Sequence, residues 1–171
     1  MSSHGRWLTR PETGPDFPLI RAITVAAFDT PLEADLVDAL RAGPAWIDGL
    51  SMVTTNADGD PVAHALLTRC HIDQVPALCL APCSVHPHHQ RSGAGSAAIR
   101  AVLQAAADLD ERYVTVLGHP EYYPRFGFSR ASAHGIRVPF DVPDEALMVQ
   151  ALDPGSRPPG GTIRYAAAFG I

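Results

Sequence analysis

Apolar residues recur along this chain with two different periods. From Asp16 to Phe28, the residues Leu19, Ile20, Ile23, Ala26 and Ala27 fall at helical spacing and predict an amphipathic helix. Thr30-Pro31 opens a second helix, with Leu32, Leu36, Val37 and Leu40 on one face and Gly43-Pro44 as its stop. The β-rich runs Leu50 to Thr55 and Pro61 to Cys70 then flank Asn56-Ala57-Asp58-Gly59-Asp60, the pattern of an antiparallel hairpin. Ala77 to Val85 is a third run, and Pro82 inside it predicts a bulge or an unpaired edge. Ile99, Val102, Leu103, Ala106 and Leu109 mark a clear helix over Ser96 to Leu109. Tyr113 to Leu117 predicts a short strand and Pro120 to Phe126 a short helix. Ala146 to Leu152 and Thr162 to Phe169 predict two more strands, separated by the turn-rich Asp153 to Gly161. Arg6 to Thr13 adds a short first strand that Pro11 ends. The mixed order predicts an α/β (α+β) sandwich-like domain around one mostly antiparallel sheet.

Composition narrows the class. With 171 residues the chain fits one domain, with 1–5 as a flexible tail and 153–171 as a C-terminal extension. A hydrophobic fraction of 46% supplies a core, and 18% charged residues is too few for a disordered chain. The net charge of −5 argues against nucleic acid or an anionic membrane as partner. The polar N-terminus lacks the basic start and apolar run of a signal peptide, and no stretch approaches the ~18 apolar residues of a membrane span, so a cytoplasmic location is expected. Cys70, Cys79 and Cys83 stand at strand positions and read as reduced, buried thiols. Lysine is absent; arginine and histidine carry all side-chain basicity.

The chemistry-bearing stretch is Leu80 to Gly95, where a strand ends, a loop follows and Gly93 and Gly95 open a helix. Glycines let the backbone turn tightly and approach a ligand. Free amides of the first helical turn, at the positive end of the helix dipole, favour an anion such as a pyrophosphate. Neither a dinucleotide fingerprint nor a P-loop fits, the latter for want of a lysine. His86, His88 and His89 with Cys79 and Cys83 raise a metal site, the two cysteines sharing a face if the strand is regular. The spacing matches no common zinc pattern, so no metal is expected.

Gln90-Arg91-Ser92-Gly93-Ala94-Gly95 resembles the Gln/Arg-x-x-Gly-x-Gly/Ala pyrophosphate loop of the GNAT superfamily of N-acyltransferases. Leu80 to Val85, followed by His86-Pro87, resembles that superfamily's fourth strand. Tyr122-Tyr123-Pro124-Arg125-Phe126-Gly127-Phe128 is similar to its second signature, Tyr-x-x-x-Gly-Phe. Gly118 to Tyr123 and Val138 to Ala146 resemble one bacterial subgroup of N-acetyltransferases, and the resemblance spans roughly residues 6 to 152.

The resemblance implies a GNAT-type fold, a central mostly antiparallel mixed sheet with splayed fourth and fifth strands, flanked by helices. It implies acetyl-CoA as co-substrate, its pantetheine arm filling the gap and pairing with backbone groups of Cys83, Ser84 and Val85. The loop of Gln90, Arg91, Ser92, Gly93, Ala94, Gly95 and Ser96 would hold the pyrophosphate, with Arg91 adding charge or simply being solvated. The Val85 amide would polarise the thioester carbonyl. Tyr123 falls at the general-acid position that protonates the departing CoA thiolate; its alternative is a buried packing residue. Tyr122 and Phe126 would pack against cofactor or core. The fourth strand lacks the glutamate that many relatives use as base. His119 is then the candidate base, or else a surface loop histidine, with a water chain to a remote carboxylate as a further route.

The implied function is an N-acetyltransferase acting on an amine by direct attack in a ternary complex. Its alternative is a non-catalytic acyl-CoA-binding sensor or partner module of the same fold. Phe28, Trp46, His71, Phe140 and the acids Asp141, Asp144 and Glu145 are the candidates for setting the acceptor, a small-molecule or protein amine. An acyl donor longer than acetyl stays open, as does the choice between monomer and homodimer. Thr162 to Ile171 either finishes the chain's own sheet or reaches a second subunit.

Overall fold

The computed structural model describes residues 7–171. The expected tail over 1–5, and Arg6 at the start of the first strand, lie outside them. Strand β1 (Leu8–Pro11) leads into a short 3-10 turn over Gly14–Asp16 and then helix α1 (Phe17–Phe28). The turn is locked by Asp16, whose buried carboxylate accepts from the Thr13 amide (2.7 Å) and from Arg10 (2.6 and 2.9 Å). That pairing with Arg10 holds the Asp16 pKa down at about 2. Asp29, in the left-handed region (φ 57°), ends α1, and α2 (Leu32–Arg41) folds back against it.

The sheet follows: β2 (Ser51–Thr55), β3 (Pro61–Ile72) and β4 (Val75–Val85) form an antiparallel meander. Helix α3 (Ala94–Asp108) then carries the chain to β5 (Tyr113–Leu117). The short β6 (Ser129–Arg130) and β7 (Ile136–Arg137), then β8 (Leu147–Ala151) and β9 (Gly161–Arg164), complete the chain. Strand order is β1-β2-β3-β4-β5-β8-β6, with β9 joining the far end of β3 and β7 pairing with β9. The β4–β5 pair is parallel within this otherwise mostly antiparallel sheet, so the expected mixed architecture is the observed one.

Alternation distributes the side chains between two faces. Met52, Ala65, Leu67, Leu78 and Leu80 meet Ile99, Val102, Leu103 and Ala106 of α3. Val53 and Leu66, one residue out of phase, meet Ile20 of α1 and Val37 and Leu40 of α2 on the other face. Pro82 sits in a bulge, as expected: Ala65 pairs with Cys83 and Leu67 with Leu80, so Ala81 and Pro82 together oppose Leu66 alone. The extra residue inverts the alternation. Before it, Leu78 and Leu80 face α3; after it, Cys83 packs on that side and Ser84 turns toward α1. The same inversion overturns the shared face of Cys79 and Cys83, since Cys79 packs with Cys70 and Ile163 on the opposite side.

Two further expectations change, and two short strands are added. The strand expected over Thr162 to Phe169 ends at Arg164, and a 3-10 turn covers Ala167–Phe169. Its pairing with His71 and Ile72 ties the C-terminal extension into the chain's own sheet. The helix expected over Pro120 to Phe126 is only a 3-10 turn at Tyr123–Phe126, closed by Gly127 in the left-handed region (φ 100°). The two-residue strands β6 and β7 carry no periodicity of their own and went unforeseen.

Candidate functional site

Strands β4 and β5 share only two register pairs, Leu78 with Val114 and Cys79 with Thr115. Beyond them the strands part. A cavity of about 370 Å³ lies at this opening, lined by Ala27, Phe28, His64, Cys83, Ser84, Val85, Gln90, Gly95, Ile99, His119, Tyr122 and Tyr123. Its walls come from both faces of the sheet. Val85, Gly95, Ile99 and the tyrosines stand on the α3 side, and Ala27, Phe28, His64 and Ser84 on the α1 side. The gap between β4 and β5 therefore connects the two faces.

On the α3 side the loop is shaped for an anion. Gly93 caps α3 in the left-handed region (φ 89°), and Arg91 adopts φ 62°. The helical ladder begins with the Ala97 amide donating to the Gly93 carbonyl (3.0 Å). The amides of Ala94, Gly95 and Ser96 thus precede the first intrahelical bond, at the positive end of a 15-residue helix. Trp7 anchors the loop by donating from Nε1 to the Ser92 carbonyl (2.9 Å), and the Thr54 hydroxyl donates to the Ala94 carbonyl (2.8 Å). Gly95 is required by space: a Cβ there would lie 2.7 Å from Val85 Cγ2. Gln90 and Gly95 reach the cavity wall, whereas Arg91, Ser92, Gly93, Ala94 and Ser96 do not line it. Among these, the Ala94 side chain is buried against Trp7 and Val62, so only its backbone faces a ligand.

Tyr122 and Tyr123 sit edge to face, ring centroids 5.1 Å apart, and the Tyr122 hydroxyl lies 3.1 Å from Ser96 Oγ. Burial, with smaller contributions from the neighbouring Cys83 and Tyr122, pushes the Tyr123 pKa well above the usual phenol range. Burial likewise pushes the Cys83 thiol up to about 12. Both groups therefore stay protonated. Phe126, expected against the cofactor or in the core, is buried in the core behind Tyr122 (ring centroids 5.2 Å apart) and contributes nothing to the cavity wall. Its ring supports the tyrosines instead.

His119 is exposed on the rim, its carbonyl accepting from the amides of Tyr122 (3.1 Å) and Tyr123 (3.3 Å). Of the residues expected to set the acceptor, only Phe28 lines the cavity. Trp46 lies under the Arg41 guanidinium, His71 lines a different cavity, Phe140 packs near Tyr165, and Asp144 pairs with Arg130 and Ser132. None of Asp141, Asp144 and Glu145 reaches the wall, which holds no carboxylate.

The side chain that sequence reasoning missed is His64. It is 1% exposed, stands in register with Ser84 and lines the α1 side of the cavity. The signal was present: a lone imidazole inside the apolar run Pro61 to Cys70 needs a partner or a task. Burial, with a smaller contribution from the Arg41 charge, pushes His64 down to about 3, so the ring is neutral.

A larger cavity, about 490 Å³, lies against α2 and the 164–168 segment. It touches neither the glycine loop nor the β4–β5 opening. Among the described residues no group of three or more metal-ligating side chains gathers, and no helix is long and apolar enough to cross a membrane.

Comparison with known proteins agrees with this fold. The family model for Acetyltransferase (GNAT) family matches residues 19–128. The chain is 34% identical to the uncharacterized N-acetyltransferase YjhQ of Escherichia coli K12, over 86% of this chain and 85% of that protein. A GNAT family acetyltransferase from Brucella melitensis, solved with acetyl-CoA, superposes with a TM-score of 0.79 at 30% identity, over 95% of this chain and 97% of that one. The GNAT family N-acetyltransferase YhbS of Escherichia coli, solved with CoA, gives a TM-score of 0.87 at 24% identity, over 97% and 93% of the two chains. The last likeness speaks to the fold.

Proposed function

The chain belongs to the acetyltransferase (GNAT) family, and from that premise we propose that it transfers the acetyl group of acetyl-CoA to an amine by direct attack in a ternary complex. One observation carries the reading: the cavity at the β4–β5 opening passes between the faces of the sheet, with a helix N-terminus on one side and His64 and Ser84 on the other. The Brucella melitensis relative solved with acetyl-CoA supports that cofactor, and the glycine loop at the N-terminus of α3 is the reason to place its pyrophosphate on the α3 side. There the amides of Ala94 to Ser96 hold the pyrophosphate, and the free edge of β4 from Cys83 to Val85 pairs with the pantetheine arm. The Val85 amide polarises the thioester carbonyl. The acceptor enters from the α1 side past Phe28.

As the C–N bond forms and the C–S bond breaks, Tyr123 donates a hydrogen bond to the departing sulfur. Its raised pKa keeps it a phenol throughout. CoA therefore leaves as a hydrogen-bonded thiolate that takes its proton from water after release.

The test is calorimetric titration with acetyl-CoA, comparing the parent with Gly93→Glu, which sets a carboxylate in the pyrophosphate loop. A panel of polyamines, aminoglycosides and lysine peptides is then assayed for CoA release, with Tyr123→Phe as control. Binding by the parent, loss in a folded Gly93→Glu and turnover that Tyr123→Phe slows support the reading. Binding without turnover on any amine supports an acyl-CoA-binding module instead. No binding by the parent overturns the assignment.

A further inference from the structure

The transfer must dispose of a proton from the attacking nitrogen, and β4 offers no carboxylate to take it. The α1 face supplies a different route. The Glu12 carboxylate is clamped by Arg41, Nε to Oε2 at 2.9 Å and Nη2 to Oε1 at 3.0 Å. Arg41 also reaches Asp38 at 3.1 Å. Glu12 in turn accepts a short hydrogen bond from the Ser51 hydroxyl, and Ser51 Oγ lies 2.8 Å from His64 Nε2.

Hydrogen counting settles the direction of every bond in this chain. An ionised carboxylate only accepts, so the single Ser51 hydroxyl hydrogen points to Glu12. Ser51 can then only accept from His64, so Nε2 carries the imidazole hydrogen. Nδ1 is left as a bare lone pair, buried and without a partner among the described residues. A buried, unpartnered acceptor is costly unless a ligand satisfies it. His64 lines the cavity, so that ligand comes from there.

Ser84 repeats the pattern. The Thr24 hydroxyl donates to the Ile20 carbonyl (2.8 Å), so at 3.2 Å it must accept from Ser84. Ser84 thus has only acceptor capacity left. His64 and Ser84 are directly paired across β3 and β4, which places two acceptors side by side on the acceptor half of the cavity. Such a pair fits the N–H groups of an amine and rejects an oxyanion.

We propose that His64 is the proton acceptor of the reaction and that Ser51 and Glu12 are positioning residues which form a relay behind it; this rests on the acetyltransferase reading above. The nitrogen gives its proton to His64 Nδ1, the Nε2 hydrogen moves to Ser51 Oγ, and the Ser51 hydrogen moves to Glu12. The imidazole stays neutral, changing only its tautomer, so its weak basicity is no obstacle. Charge balances because CoA departs as a thiolate while Glu12 holds the proton. The reverse shuffle restores the resting tautomer once products leave and water fills the cavity. Glu12 and Ser51 border a separate cleft with Arg41, Trp46 and Asp48, so the stored proton can also escape there.

The test uses the full-length protein with acetyl-CoA and n-butylamine, beside the best amine of the panel. His64→Gln keeps an amide hydrogen for Ser51 and removes the base. It should lower kcat about 100-fold, the range of general-base loss, while acetyl-CoA affinity by calorimetry is unchanged. Ser51→Ala and Glu12→Gln should lower kcat less. Both should straighten the curved proton inventory of the parent in mixed H₂O and D₂O, which a merely structural defect would not do. Imidazole ¹⁵N NMR of the CoA complex should show His64 as the Nε2–H tautomer, with the Nδ1 signal moving when n-butylamine is added. A folded His64→Gln or Ser51→Ala with parental kcat and proton inventory overturns the relay, as does the Nδ1–H tautomer. A parent that turns over no amine overturns the acetyltransferase reading itself, and the relay with it.

Discussion

Gly118 isolates the position of Tyr123 from its chemistry. This residue follows β5, and its amide donates to the Ala146 carbonyl at 2.9 Å. A Cβ placed there would lie 2.4 Å from Tyr123 Cε2, 3.0 Å from Cδ2 and 3.3 Å from Cζ. Carbon atoms rest at about 3.5–4.0 Å, so Gly118→Ala must push the ring back by about 1 Å. The ring has little room to give, being boxed by Tyr122, Phe126 and Phe128 at centroid distances of 5.1, 6.2 and 6.0 Å. The Gly118 backbone itself is not in the left-handed region, so alanine brings no conformational strain of its own. Overpacking should cost about 1–3 kcal/mol of stability, read by urea denaturation. On the proposal that Tyr123 meets the departing sulfur, a 1 Å misplacement of its ring should cost about 100-fold in kcat, read as CoA thiol release. Tyr123→Phe, which keeps the ring and removes the hydroxyl, should fall by a similar factor without the stability loss. A folded Gly118→Ala with parental kcat would refute the claim that Tyr123 acts through its position at the cavity.

Three more expectations follow from the same geometry. Gly95→Ala sets its methyl 2.7 Å from a β-branched side chain with one preferred rotamer, so Val85 and its backbone must shift; acetyl-CoA should bind at least about 10-fold more weakly by calorimetry. His64 titrates at about 3 folded against an ordinary 6.5, so the unfolded chain binds the extra proton between those values. Stability should be full above pH 6.5 and fall as pH drops toward 3, by up to about 1.4 kcal/mol per unit, and His64→Gln should flatten that slope in urea denaturations across the range. Asp16 is the carboxylate counterpart: with its pKa lowered from 3.8 to about 2, its contribution is present above 3.8 and lost as pH falls through 2. Asp16→Asn should cost about 1–2 kcal/mol at neutral pH, an increment that vanishes at the acid end of that window.

The helices, the meander and the order of elements were legible in the chain because each rests on local rules. Helical spacing needs only Ile20, Ile23 and their neighbours, and a hairpin needs only its turn. The glycine loop before α3 was legible for the same reason, since Gln90 to Gly95 are contiguous and shape one local backbone turn. The strand expected to Phe169 and the short helix expected from Pro120 went astray where apolar residues follow no period, and packing alone sets the ends.

What the sequence could not disclose is which side chains share a face across the site. Pro82 announced a bulge, but only the register of β3 against β4 shows that the extra residue turns Ser84 toward α1 and Cys83 toward α3. Placing Phe126 in the core and His119 on the rim likewise needed the path of the chain after β5. The Glu12–Ser51–His64 chain joins residues up to 52 positions apart through three segments of one sheet face. No period or motif encodes such a line. It exists because strand pairing fixes which residues lie opposite one another, and because a buried polar atom must find its partner in three dimensions.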